Sequence, residues 1–247
     1  PYLQQQYDSI FAQTEKNWRL IVRDDGSSDE TIQLVRAIAN NDTRVVISKC
    51  SGVNTGIANS FFSLLQQSTA PFFAFCDQDD YWVPRKLETL LGVMECEPLS
   101  RPTLVYSDLT IVDENLKEVF PSFMHQQHFS PGRLMIWSNN LLQNTVVGCA
   151  SMGNRELKHV VFSNPPDYWS DVIMHDWWLA IVASRFGQAI FEPTSTVLYR
   201  QHGKNQLGAK GTDFWRYLTS VINEQPIHKV KTYLDRVSVQ AAAFQQA

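Results

Sequence analysis

Apolar runs of strand length alternate with amphipathic helical segments through the first hundred residues, and nothing else in the chain constrains its fold as much. Residues 1–14, PYLQQQYDSIFAQT, set Leu3, Tyr7, Ile10 and Phe11 on one helical face. WRLIVR (18–23) reads as a strand, and Ser27 with Glu30 makes a capping-box pattern ahead of a helix carrying Ile32, Val35 and Ile38. RVVIS (44–48) is a second strand, residues 56–68 a helix and FFAFC (72–76) a third strand. Pro84 then opens a helix whose buried face is Leu87, Leu90, Leu91 and Met94. Strand and helix alternating in this way argue for a doubly wound α/β fold with a parallel sheet. Such a fold starts on a strand, whereas residue 1 sits almost at the first helix. A further central strand upstream of residue 1 is therefore expected.

The second half has a different rhythm. LVYSDLTIVDENLKEVF (104–120) reads as two strands about an Asp-Glu-Asn turn, TVVGCASMG as a strand and residues 154–163 as a helix. HDWWLAIVASRFG is a helix stopped by Gly187, strands follow around QAIFEP and TSTVLYR, and the tail from 212 is helical with a break at Pro226. No repeat, low-complexity segment or linker divides the chain. The expectation is one mixed-sheet domain over residues 1–211 with a helical extension over 212–247.

With 247 residues, 44% of them hydrophobic and 19% charged, the chain can bury a substantial core. A formal charge of −4 without a basic stripe argues against a nucleic-acid partner. Cys50, Cys76, Cys96 and Cys149 lie far apart with no CxxC pair, the pattern of reduced core thiols in a cytosolic protein. No signal-like segment or membrane-length apolar run is present, so a soluble, cytoplasmic protein is expected, with docking at the inner face of the membrane left open. Aromatic rings in polar contexts (DYW, DWW, DFW) could stack on a sugar face, although burial in the core is the plainer reading of any one of them.

Two strands end in acids: Asp24 and Asp25 after LIVR, and Asp77, Asp79 and Asp80 after FFAFC. In open α/β sheets ligands bind beyond the carboxyl ends of strands. Turn and cap chemistry accounts for one aspartate at each end, not for the cluster. Like charges this close repel and raise each other's pKa unless something positive sits among them. Asp77 and Asp79 flank a single residue, at the carboxyl end of what is expected to be a parallel strand. That spacing lets both reach one hard cation, Mg²⁺ or Mn²⁺, whose shell substrate phosphates would complete.

DDGSSD, followed by a strand ending in DQDD and then by YWVPRKL, resembles the family 2 glycosyltransferases of GT-A fold. GVNTGIANSF between them is similar to that family's Asn-x-Gly segment, and HDWWLAIVASRFG and YRQHGKNQLGA resemble its rhamnosyltransferase subgroup. The resemblance covers residues 1–211. It implies a Rossmann-like, mixed but mostly parallel sheet flanked by helices, the family's first strand and its Tyr-Asn-Gly-like loop lying upstream of residue 1. It implies that Asp24 and Asp25 meet the base and ribose of a nucleotide, with Asn54, Gly56 and Asn59 lining the same pocket. Asp77 and Asp79 become the Asp-x-Asp element, Asp77 touching the donor as well and Asp79 the more direct metal ligand. Asp176 takes the place of the catalytic base, and His202 that of a histidine near the diphosphate that assists the metal.

The activity so implied is metal-dependent, inverting transfer of a sugar, rhamnose from dTDP-rhamnose, from a nucleotide-diphosphate donor to a polysaccharide or lipid-linked glycan. Asp176 heads a helix whose apolar positions Leu179, Val182 and Phe186 should anchor it, and burial would raise its pKa toward a useful value. The plain alternative is a first-turn acid favoured by the helix dipole; for His202 it is a solvated surface histidine. Trp177 and Trp178 point in different directions from one helix and are not expected both to face the core, so they are candidates for an acceptor platform. Cys149 has no activating partner in the sequence and reads as core, and His125 and His128 read as loop residues without a metal. A nucleotidyltransferase on a similar scaffold would want a Gly-rich loop with a lysine, which is not seen. A silent nucleotide-sugar-binding domain would be signalled by replacement of Asp79 or Asp176, and both are present.

Overall fold

The computed structural model describes residues 2–49, 54–132, 136–163, 165, 166, 169–202 and 227–246. Cys50, the DFW stretch at 213–215 and the expected break at Pro226 lie outside them. Helix α1 (Leu3–Phe11) buries Tyr7 and Ile10 on its apolar face, with Leu3 and Phe11 packed at the rim. Strands β1 (Leu20–Val22) and β2 (Val45–Ile47) run parallel, joined by helix α2 (Thr31–Asn41), and Val35, Val45 and Tyr7 close a small core there. The capping box does not form. Gly26, at φ 91°, turns the chain so that the Asp24 carboxylate accepts the N–H groups of Gly26 and Ser27. The helix then begins later, with Asp29 Oδ1 accepting from Thr31 N–H at 3.0 Å.

Helix α3 (Ile57–Gln67) leads into β3 (Phe72–Ala74), then β4 (Tyr81–Trp82) and helix α4 (Lys86–Met94) follow. Leu87, Leu90 and Met94 are buried on α4 as the periodicity requires, and so is Lys86. Where two strands were expected there are three: β5 (Thr103–Ser107), β6 (Thr110–Val112) and β7 (Glu118–Phe120). Asp108 makes the break. Its carboxylate accepts from Leu109 N–H, Met124 N–H and Ser122 Oγ, which ends β5 and sends β6 into another sheet. Asp113 caps the Asp-Glu-Asn turn that joins β6 to β7, accepting from Asn115 and Lys117. The short helix α5 (Phe123–Gln126) carries His125, which stacks on Phe120.

Helix α6 (Trp137–Leu142) precedes a 3₁₀ turn at Gly148–Ala150, so the segment read as a strand pairs into a sheet only in β8 (Ser151–Asn154). Helix α7 (Arg155–Ser163), helix α8 (His175–Phe186), β9 (Gln188–Glu192), β10 (Val197–Arg200) and helix α9 (Ile227–Gln246) complete the described elements. The main sheet has the order β3-β8-β5-β9 and a second one β4-β10-β6-β7. Among the described residues β1–β2, β5–β9 and β6–β10 are parallel, whereas β3–β8, β5–β8, β4–β10 and β6–β7 are antiparallel. The sheets are mixed, as expected, but among the described residues β3 pairs only antiparallel, with β8. Its partner comes from beyond the region of strand–helix alternation on which that expectation rested.

Every residue of α8 from His175 to Ala183 is buried, which overturns the expectation for the tryptophan pair. Helix α8 meets β5, β9, α3, α6 and α7, and it has no solvent face along this stretch. Trp178 sits in the main core beside Trp169 and Phe244. Trp177 packs with Ile181 and Val237 and donates its indole N–H to the Asn140 carbonyl. Neither ring is open to an acceptor. At the far end Leu179 and Val182 anchor the helix as expected, while Phe186 is exposed. The thiols divide similarly, with Cys149 buried, Cys76 half-buried and Cys96 exposed, against the expectation of core cysteines throughout.

Gly187 ends α8 because the turn into β9 passes against the chain entering β5. A Cβ there would stand 1.8 Å from the Pro102 carbonyl oxygen, which accepts the Gln188 N–H at 2.9 Å. Gly187→Ala is expected to cost about 1–3 kcal/mol, as overpacking does. An unchanged melting temperature would show that this junction yields freely.

Candidate active site

The two loops that follow β1 and precede α3 are tied into one unit. Asp25 Oδ1 is 2.6 Å from Arg23 Nε, and Asp25 Oδ2 accepts from Ser60 Oγ at 2.5 Å. Ser60 Oγ lies 3.3 Å from Thr55 Oγ1, which in turn accepts from Arg23 Nη2 at 3.1 Å. Asn54 Oδ1 accepts the Gly56 N–H at 3.0 Å, and Asn59 donates to the Thr55 carbonyl at 2.9 Å. Gly26 and Gly56 both have positive φ, 91° and 85°, which glycine adopts without steric cost. Asp24, Asp25, Asn54, Gly56 and Asn59, singled out from two separate stretches, thus form one loop cluster at the head of α3.

The acids after β3 divide by direction. Asp79 Oδ2 lies 2.9 Å from His202 Nε2, both side chains being largely buried. Asp77 and Asp80 instead gather with Cys149, their ligand-type atoms within 4.8 Å of one another. Burial pushes the Asp80 carboxyl up to about 7, and burial with the neighbouring Asp80, Asp79 and Asp176 charges raises Asp77 as well. Burial also holds the Cys149 thiol well above its ordinary range. One nearby cation is Lys86, fully buried, its Nζ 3.5 Å from Thr196 Oγ1 and 4.8 Å from the centre of the Trp82 ring. Burial lowers that ammonium to about 8, while Asp80 and the two thiols pull the other way.

Asp176 stands at the start of α8. Its Oδ2 accepts the Gly148 N–H at 2.9 Å, and its Oδ1 accepts from Asn144 Nδ2 at 3.2 Å and Trp177 N–H at 2.6 Å. Burial raises its pKa to about 6 against those hydrogen bonds, each of which favours the ionised form. The preceding His175 stacks on Phe61 at 4.1 Å and meets the edge of Phe75, linking α8 to the helix that carries the loop cluster. Burial depresses its pKa to about 3, so the ring is neutral. Gly148 belongs to this arrangement through its bareness, since a Cβ there would meet His175 Nε2 at 2.8 Å and the Asp176 carboxylate at 3.4 Å.

Lys86, Asn144, Gly148 and Arg200 were not picked out from sequence. Lys86 did leave a trace, lying one and two helical turns before Leu90 and Met94 on a face otherwise apolar. Arg200 lies in the YRQHGKNQLGA stretch without being marked there, and Asn144 and Gly148 carry no local signal, because the roles of all three depend on contacts far along the chain.

Mixed sheets flanked by helices, with acids beyond the ends of β1 and β3, are the layout of a GT-A fold. The model of the family described as "Glycosyl transferase family 2" matches residues 1–157, and the chain belongs to that family. Among curated proteins it is 28% identical over 144 residues to the UDP-Glc:alpha-D-GlcNAc-diphosphoundecaprenol beta-1,3-glucosyltransferase WfgD of Escherichia coli, covering 58% of this chain and 51% of that one. It is 22% identical over 218 residues to the dTDP-rhamnosyl transferase RfbG of Shigella flexneri, covering 84% and 71% respectively. The chain thus spans about half the length of WfgD. Of solved structures, S. aureus TarS 1–349 superposes with a TM-score of 0.66 at 13% identity, over 98% of this chain and 77% of that one. The mannosyltransferase PcManGT of Pyrobaculum calidifontis, solved with GDP-Man and Mn²⁺, gives 0.59 at 18% identity over 98% and 70%. At such identities these structures bear on the fold alone. Among the described residues no helix is long and apolar enough to cross a membrane.

Proposed function

We propose that the chain transfers a sugar, with inversion, from a nucleoside-diphosphate donor to a hydroxyl of a glycan or lipid-linked glycan. In a single displacement the acceptor oxygen bonds to the anomeric carbon as the bond from that carbon to the diphosphate breaks. The hydroxyl proton passes to Asp176 and the nucleoside diphosphate leaves. The observation that carries the reading is Asp176 itself, a buried carboxylate fixed by three N–H donors, poised near 6 and close enough for its charge to be felt at Asp77. Donor nucleoside is assigned to Asp24, Asp25, Asn54, Gly56 and Asn59.

The acid group after β3 fits a divalent cation, Mg²⁺ or Mn²⁺, because half-buried Asp77 and buried Asp80 lie side by side with raised pKa values, a repulsion that a cation would relieve. Asp79, paired with His202, and Asp77, which lies with Asp80 and Cys149, would hold it from the two groups, and the ion would supply neutralisation of the departing diphosphate. Rhamnose from dTDP-rhamnose is the donor favoured by the likeness to RfbG, and a lipid-linked acceptor is favoured by the diphosphoundecaprenol in the name of WfgD. Residues 1–211 would form the transferase unit.

The test is release of nucleoside diphosphate from dTDP-rhamnose, UDP-glucose, UDP-GlcNAc and GDP-mannose, with and without Mn²⁺ and a lipid-linked glycan. Release from one donor that requires Mn²⁺ is expected, and dTDP-rhamnose should lead. No binding of any nucleotide sugar by the wild-type protein would overturn the reading.

A further inference from the structure

The end of β10 grips one residue of the acid loop twice. Arg200 is only 1% exposed, and its guanidinium sits where four parts of the molecule meet. Nε donates to the Asp79 carbonyl at 2.8 Å, Nη1 to the Glu114 carbonyl in the β6–β7 turn at 2.5 Å, and Nη2 to Gln5 Oε1 on α1 at 2.8 Å. The Arg200 main-chain N–H donates to Asp80 Oδ1 at 3.2 Å. Two residues on, His202 Nε2 lies 2.9 Å from Asp79 Oδ2. The Tyr2 ring is shared by the two, its centre 4.2 Å from Arg200 Cζ and 5.1 Å from the centre of the His202 ring.

A guanidinium this far from water is retained only where its donors are met. Its acceptors here lie on three separate elements, which a planar fork of fixed donors can serve and a single ammonium cannot. The consequence falls on Asp79. Arg200 fixes the plane of the peptide leaving Asp79, and so holds the backbone from which the Asp79 side chain projects. His202 then fixes one carboxylate oxygen, and Oδ1 is the oxygen through which Asp79 would face a ligand. Strand β10 thereby presets the acid loop before anything binds.

We propose that Arg200 is a positioning residue for the transfer site, orienting Asp79 through its main-chain carbonyl toward the donor diphosphate and its cation. The inference rests on the functional reading above. At 1% exposure Arg200 is enclosed by the protein, so the action proposed for it is indirect.

Mn²⁺ binding, read from the loss of the free-ion electron spin resonance signal, separates positioning from mere stability. The protein is titrated in the presence of whichever of UDP, dTDP or GDP the wild type holds. Arg200→Met is expected to raise the Mn²⁺ concentration for half-saturation about 10-fold or more, the scale seen when a metal ligand loses its outer partner. Arg200→Lys, which can serve one of the three acceptors, should recover part of that loss. A purely structural arginine would lower the melting temperature of both variants and leave Mn²⁺ half-saturation at the wild-type value, which would overturn the proposal. Should neither Arg200 variant fold, exposed Gln5→Ala removes one partner only. It should raise half-saturation about 2- to 5-fold, less than the full worth of a hydrogen bond to a charged group because Gln5 acts on Asp79 only through Arg200, and no change would count against Arg200 equally. A wild-type protein that holds no nucleotide at all would instead bring down the functional reading, and this inference with it.

Discussion

Asp176→Asn is expected to slow sugar transfer by ~10² to 10⁴ and to leave donor binding intact. The two side chains are nearly isosteric, and an asparagine Oδ1 can still accept the Gly148 or Trp177 N–H that holds Asp176 in place. What is lost is the capacity to take a proton. Because burial raises the Asp176 pKa to about 6, wild-type turnover should fall as pH drops through about 6, and the residual activity of the variant should lack that acidic limb. Stability moves in the opposite sense. A carboxyl whose folded pKa lies above its ordinary value of 3.8 contributes stability below that value, and the contribution is lost as pH rises through about 6. At pH 8 the variant should therefore be no less stable than the wild type, so that slow turnover cannot be laid to unfolding. Near-normal transfer would clear Asp176 of the role, and lost donor affinity with normal turnover would move it to the donor shell.

What could be read from sequence was whatever a local pattern controls. Helices α1, α3, α4 and α8 follow from periodicity and from the stop at Gly187, and the acid-bearing strand ends from apolar runs that break into aspartates. The failures share one cause, which is that tertiary contact decided them. Trp177 and Trp178 were separated on the premise that a helix has one wet face, yet α8 is buried from His175 to Ala183. The Ser27–Glu30 capping box lost to Asp24 and Asp29, which took the same turn's N–H groups once Gly26 had redirected the chain. Asp108 looked like an ordinary residue within a strand and proved to be the point where the chain changes sheets. Within the site, the loop cluster and Asp176 were legible as residue types, whereas Arg200 depends on partners at Gln5, Asp79 and Glu114, which no local window joins.

Asp79→Ala is expected to abolish the Mn²⁺ dependence of nucleotide binding, leaving the affinity measured without metal. The effect should exceed the 10- to 100-fold typical of losing an outer partner of a metal ligand. A rival set of ligands exists, since Asp77, Asp80 and Cys149 lie within 4.8 Å of one another and could close on an ion without Asp79. Three physical points favour Asp79. Mg²⁺ and Mn²⁺ prefer oxygen ligands, and a thiolate is a soft one. The Cys149 thiol, held well above its ordinary pKa by burial, would have to ionise beside Asp80 and Asp77, whose charges oppose it. Asp80 is already engaged through Oδ1 with the Arg200 N–H, and at 1% exposure it is cut off from the solvent that a donor diphosphate must enter from. Asp79 has one oxygen held by His202 and belongs to the loop whose peptide Arg200 orients. Calorimetric titration of Mn²⁺ with nucleotide present, on Asp79→Ala and Cys149→Ser in parallel, separates the two sets. Loss in the first with retention in the second is the expected result; the reverse would transfer the ion to Asp77, Asp80 and Cys149 and leave Asp79 as a partner of His202 alone.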